Sequence, residues 1–273
     1  MNSGPREWDA RTYDEISEPQ YQWGLEVLER LAPEPAETVI DAGCGSGRVS
    51  ERLLERLPDG RLIGVDGSEE MIKVASERFD GDERVTLFVS DLLELTPDLL
   101  EANGAPREAD ALFSTATFHW IMDHDRLFSR VHSVLRPGGR LVAQCGGAGN
   151  VADHARAIVE VATRPEYVDH FSDMTVMWNF ATPEETEERL RNAGFEEVSC
   201  WLEDKPIQPS DPLAFTTTVT MGPHLSRLPE DLREPFAAAV LERSGEPLVL
   251  NYVRLNIEGR RSEGAPSGAR GNA

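Results

Sequence analysis

Three glycines on alternate positions, Gly43, Gly45 and Gly47, follow the run Val39-Ile40-Asp41-Ala42 and precede a helical pattern that begins near Arg48. Glycine has no Cβ, so the chain bends sharply there and lets a ligand lie almost against the backbone. The helix that follows turns its unpaired N–H groups toward the same place. A second apolar run, Leu62-Ile63-Gly64-Val65, is closed by Asp66, whose carboxylate can accept both hydroxyls of a ribose. Strand, glycines, helix and acidic strand end together point to a nucleotide-type site. The spacing is G-x-G-x-G, whereas the dinucleotide fingerprint is G-x-G-x-x-G. A tight turn without a ligand is the plainer alternative, and the second acidic strand argues against it.

The elements that must hold these residues are regular. Strands are expected at 37–41, 61–66, 84–89, 109–114 and 139–145, with helices near 47–57, 68–79, 96–102 and 123–135. Such βαβα order predicts an α/β fold with a parallel sheet covered on both faces. Ser68 reads as an N-cap ahead of Glu69 and Glu70, and Pro137-Gly138-Gly139 as a turn launching the fifth strand. Upstream, Tyr21, Leu25, Leu28 and Leu31 share a helix face, and Pro33 and Pro35 end that helix. Trp8 and Tyr13, ahead of it, either close over the ligand or staple the helix to the core.

After residue 145 the rhythm breaks. A Gly-rich loop leads to a helix near 152–163, then to a segment with Tyr167, Phe171, Met174, Met177, Trp178 and Phe180. That segment either lines a pocket or fills a satellite core, and core is the default for apolar side chains. Thr182-Pro183-Glu184-Glu185 opens another helix, and a strand is expected at 196–204. Residues 205–246 are proline-rich and helical in pieces, 248–257 forms a last strand, and the tail from Gly259 is expected to be disordered.

Residues 36–145 resemble the core of the class I S-adenosylmethionine (SAM)-dependent methyltransferases. Asp41 to Gly47 match the family's first motif, Asp66-Gly67-Ser68 with Met71 the second, and Ser90-Asp91-Leu92 the position flanking the adenine. Leu135-Arg136-Pro137-Gly138-Gly139 matches the turn before strand five. The resemblance implies a Rossmann-like seven-stranded sheet, its last strand antiparallel, with helical cap insertions. It divides the chain into an N-terminal helical segment closing over the cofactor (1–35), the SAM-binding core (36–145) and a cap insertion (146–181). A core helix and strand (182–204), a second cap insertion (205–246), the last core strand (247–258) and a loose tail (259–273) follow.

By the same resemblance, the turn at 43–47 holds the methionine end of SAM, Asp66 the ribose and Asp91 the adenine amino group, while Met71 packs on the ring. Tyr13, Asp41, Gly43, Cys44, Gly45, Gly47, Gly67, Leu92 and Thr115 complete the implied cofactor contacts. Asp91 as a helix cap and Met71 as core are the plainer alternatives. The stretch from Phe113 to His124, after the fourth strand, looks like that of the trans-aconitate methyltransferases, and more loosely like the juvenile hormone acid methyltransferases. Both esterify carboxylic acids. Gln20 and Trp120 stand where the second group binds its acid, and both offer N–H donors.

A carboxylate acceptor is ionised near neutral pH and needs alignment rather than a base. A phenol or hydroxyl acceptor would use a base, for which His119 is the candidate; His124, in Asp123-His124-Asp125, reads as a solvated helix start. The expectation is thus a methyltransferase acting on a small molecule, with a small carboxylic acid as acceptor. A natural-product or quinone methyltransferase, a SAM-binding protein without catalysis, and a nicotinamide oxidoreductase are the alternatives.

Composition narrows the partners. With 49 acidic against 27 basic residues the formal charge is -22, which argues against a nucleic-acid backbone or an anionic membrane surface. Cys44, Cys145 and Cys200 are scattered, without metal or redox spacing, as expected of a reducing, cytoplasmic setting.

Overall fold

The computed structural model describes residues 17–174 and 177–263. Helix α1 (Glu18–Leu31) leads into five strands, β1 (Thr38–Ala42), β2 (Arg61–Asp66), β3 (Val85–Val89), β4 (Ala109–Thr115) and β5 (Leu135–Gly146). Helices α2 (Arg48–Glu55), α3 (Glu69–Arg78), α4 (Pro97–Ala102) and α5 (His124–Val134) connect them. Beyond β5 come α6 (Ala152–Ala162), α7 (Pro183–Asn192), β6 (Phe195–Ile207), short helical turns over 212–225, α8 (Glu230–Ser244) and β7 (Leu250–Arg261).

The seven strands form one sheet in the order β3-β2-β1-β4-β5-β7-β6. β1 to β5 are parallel, and β7 lies antiparallel between β5 and β6. Strand order reverses between β1 and β4, and such a switch point leaves a crevice beyond the carboxyl ends of the strands. Side chains alternate between the two faces. Val39 and Phe113 pack beneath α1 and α2 with Val27, Leu28 and Leu53, whereas Ile40 and Leu112 face Phe118, Phe128 and Leu190. Each such side chain, fully buried, contributes about 1.5–3 kcal/mol.

Several local signals place the elements. Ser68 Oγ accepts from Met71 N at 3.2 Å, and Thr182 with Glu185 forms a reciprocal capping box. Helix α1 departs from the expected face. Its buried residues are Trp23, Gly24, Val27, Leu28 and Leu31, because the helix presses Gly24 against Val49; a Cβ there would stand 2.8 Å from Val49 Cγ2. Strand β5 absorbs Pro137-Gly138-Gly139 as an irregularity within the strand, with the register against β4 shifting between Ala109 and Ala111. Strand β7 runs on through Arg261, so the first residues of the segment expected to be disordered are sheet.

The segments on either side of α7 and β6 meet. Ala157, Ile158 and Val161 of α6 pack with Tyr167, Met221, Leu228, Phe236 and Val240 in a core of their own above the sheet. Among the described residues no helix is long and apolar enough to cross a membrane, and no cluster of metal-ligating side chains is present.

Candidate functional site

A cavity of about 740 Å³ opens over the carboxyl ends of β1, β2 and β4. Its floor is the glycine turn. Gly43 N and Cys44 N both donate to Val65 O, at 2.7 and 3.1 Å, which folds the turn over β2. Gly43 has φ +81°, and a Cβ on it would overlap the Thr117 side chain, so only glycine fits. Asp66 ties the turn to the next one: its Oδ2 accepts from Gly45 N and its Oδ1 from Ser68 N, each at 2.9 Å. A carboxylate oxygen has two lone pairs, so one such bond does not exhaust either oxygen. Asp91, also on the wall, caps the following helical turn through Leu93 N at 2.9 Å. Gly67, Met71, Leu92 and Thr115 complete this side.

Two residues of the first motif stand behind the wall. Asp41 is 2% exposed beneath the turn and accepts a 2.6 Å bond from Ser50 Oγ. Burial pushes its pKa up to about 7, the Ser50 bond opposes the rise, and the Asp66 charge adds to it. Gly47 begins α2 and packs against Phe79. Cys44 lines the cavity, but burial holds its thiol well above the ordinary range, which leaves it unreactive. Tyr13 and Trp8 lie outside the described residues.

The opposite side of the cavity carries Gln20, His119 and Trp120. His119 Nδ1 accepts from Gly146 N at 3.3 Å. A backbone amide can only donate, so Nδ1 carries the lone pair and the neutral ring bears its proton on Nε2. Burial, then the charges of Arg254 and His124, keeps that ring neutral, with a pKa well below the usual histidine value. In this tautomer His119 is a donor and cannot take a proton at Nε2. The Oε1 of Gln20 is buried without a protein partner among the described residues, and turning the amide exchanges it for a donor.

His124 departs from the expectation of a solvated side chain. It is 2% exposed, and its Nε2 donates to Phe118 O at 3.0 Å, bracing the turn that carries His119 and Trp120. The aromatic segment after α6 divides between its two alternatives. Tyr167 and Phe171 join the cap core, while Met174, Met177, Trp178 and Phe180 line the cavity. Sequence reasoning missed Arg254. It sits on β7 opposite Gly146, 3% exposed, with its guanidinium 4.9 Å from the Trp23 ring, and it borders the cavity. In the sequence it reads as one polar residue of an alternating strand, without a local motif to mark it.

A methyltransferase-domain profile matches residues 39–139, the stretch that builds the turn, Asp66 and Asp91. The trans-aconitate 2-methyltransferase of Acidovorax sp. (strain JS42) is 27% identical over 243 residues, 88% of this chain and 90% of that one. The chain carries a SAM-dependent methyltransferase domain. Its fold matches Haemonchus contortus phosphoethanolamine N-methyltransferase 2 in complex with SAM, with a TM-score of 0.58 at 20% identity, covering 93% of this chain and 56% of that one. The [4+2]-cyclase SpnF matches as well, with a TM-score of 0.58 at 16% identity over 97% of this chain and 89% of the cyclase. At such identities the likeness describes the fold and leaves the acceptor to the site.

The methyltransferase's cavity fits SAM. Asp66 brings a carboxylate to the wall, Asp91 stands one strand away, and Met71 and Leu92 offer apolar surface for a ring. The glycine turn leaves backbone where side chains would otherwise fill the space.

Proposed function

We propose that this methyltransferase esterifies a small carboxylic acid. In this reading Asp66 receives the ribose hydroxyls, Asp91 the adenine amino group, Met71 and Leu92 the adenine faces, and the turn at 43–47 the methionine end. SAM, when bound, supplies the methyl group on its sulfonium sulfur, which passes to the acceptor oxygen while the C–S electron pair returns to sulfur. The chain's own part is to hold the acceptor in line and exclude water, and positioning of this kind is worth about 7–11 kcal/mol.

The observation that carries the reading is that neither histidine on the wall is available as a base. Nδ1 of His119 is taken by Gly146 N, and both ring nitrogens of His154 are engaged, by Ser244 Oγ at 2.9 Å and Thr220 Oγ1 at 3.0 Å. What the wall offers is donors: His119 Nε2, the Trp120 indole, the Gln20 amide and the Arg254 guanidinium. Donors suit an acceptor that arrives already ionised, and a carboxylate does so at neutral pH. The similarity to trans-aconitate 2-methyltransferases supports the same reading. The three free thiols suit a cytoplasmic setting.

The test is methyl transfer from radiolabelled SAM to a panel of acids, phenols and amines, followed by mild base. Methyl esters hydrolyse; methyl ethers and methylamines do not. Base-labile label on an acid is expected. Stable label confined to phenols or amines would replace the reading with an O- or N-methyltransferase of a natural product or quinone-type ring.

A further inference from the structure

The wall opposite the glycine turn is built from rings. Trp120 and Trp178 have centroids 5.8 Å apart, Trp178 stacks on Phe180 at 5.8 Å and 6°, and Phe180 stacks on His119 at 5.8 Å and 28°. Trp120, Trp178 and Phe180 are only half-buried, and all three face the cavity. An apolar surface of this kind marks a binding site, because covering it removes apolar area from water.

Cations are scarce on this side. Arg254 is the one buried cation on the wall among the described residues. Arg227 pairs with Asp173 at 2.5 Å and Arg48 with Glu18 at 2.5 Å, both with partly exposed side chains. A second or third carboxylate on the acceptor would be desolvated against indole and phenyl faces. Such burial is unfavourable unless each charge is given a partner.

Resting on the carboxylate reading, we propose that the acceptor is an apolar, planar monocarboxylic acid rather than a tricarboxylate. Its conjugated or aromatic body covers the Trp120–Trp178–Phe180 wall. Its single carboxylate meets the donors His119 and Arg254. The ring wall thus sets a specificity different from the one that the names of the relatives carry.

The test compares cinnamate, hexanoate and trans-aconitate with the full chain. Methyl-ester formation gives kcat/KM, and calorimetric titration into the protein loaded with S-adenosylhomocysteine gives acceptor affinity. Cinnamate is expected to exceed both others at least tenfold in kcat/KM and to bind most tightly. Trp178→Ala is expected to raise KM for cinnamate at least tenfold while SAM affinity stays within twofold, which reports that the variant is folded. If trans-aconitate or hexanoate matches cinnamate, the proposal is overturned while the carboxylate reading stands. If no acid binds or is esterified, both fall together.

Discussion

Asp41 shows how a single carboxyl beneath a ligand turn sets pH behaviour. Its folded pKa of about 7, raised mainly by burial, stands above the ordinary carboxyl value of 3.8. Between about pH 4 and 7 the folded form therefore holds a proton that the unfolded chain has lost, and stability falls as pH rises through that window. The shift amounts to a ceiling of roughly 4 kcal/mol. Asp41→Asn keeps an acceptor for Ser50 and removes the charge. It is expected to flatten the fall in Tm between pH 4 and 7 and to raise Tm at pH 8, as read by calorimetry. Asp66→Ala strips the acceptor from Gly45 N and Ser68 N and removes the proposed contact to the ribose. A tenfold to hundredfold rise in the Kd for SAM is expected, about 1.4–3 kcal/mol, with an unchanged circular dichroism spectrum. For His119, whose proton is held on Nε2, kcat/KM on an acid should be flat from pH 6 to 8, without a break near 6.5. His119→Phe keeps the ring but loses the donor, and a tenfold or greater fall in kcat/KM at unchanged SAM affinity is the expected result.

At the scale of elements, α1 decides where the acceptor side begins. Ser17, Gln20 and Tyr21 reach the cavity only because Gly24 lets the helix settle against Val49 near the end of β4. Gly24→Ala forces a Cβ to within 2.8 Å of Val49 Cγ2, so either Val49 or the whole helix must yield. Such overpacking costs about 1–3 kcal/mol. A lower Tm is expected together with weaker acceptor binding, since Gln20 moves with the helix; an unchanged Tm would show that Val49 alone absorbs the strain. The same element shows the limit of periodicity. Tyr21, Leu25, Leu28 and Leu31 do share a face, but the helix buries the neighbouring face of Trp23, Val27 and Leu28, where the small residue permits closer approach. By contrast, the strands, the Ser68 cap and the Thr182 capping box were legible, because each depends on residues within one turn of chain.

Across the whole molecule, the cap has a core of its own and a second cluster in which Phe215, Val219 and Leu241 meet Trp23 of α1 and Leu250 and Tyr252 of β7. Its core around Tyr167, Met221 and Phe236 brings together segments more than fifty residues apart. The buried His154 ties α6 to Thr220 and to Ser244 at the end of α8, its pKa pushed down to about 4 by burial. Phe236→Ala should cost about 3–5 kcal/mol of cap stability. Acceptor KM is expected to rise several-fold and the cap to become sensitive to limited proteolysis, while SAM affinity, whose proposed contacts follow β1, β2 and β3, is expected to be retained. Equal losses of both affinities would show that cap and sheet fold as one unit.

The amino-acid sequence alone determined the sheet, the glycine turn and the placement of Asp66 and Asp91 at the carboxyl ends of β2 and β3. The conformations they need are demanded by their immediate neighbours: an apolar run ending in a positive φ, and a carboxylate closing a strand. Only the tertiary structure decided the acceptor side. Arg254 reaches the cavity because β7 inserts beside β5, more than one hundred residues later in the chain. His119 became a donor because Gly146 N meets its Nδ1. His124 was withdrawn from solvent by Phe118 O, and the aromatic segment was split between cap core and cavity wall. Each of these outcomes depends on which distant backbone or ring arrives opposite a side chain, and no local pattern of residues encodes that arrival.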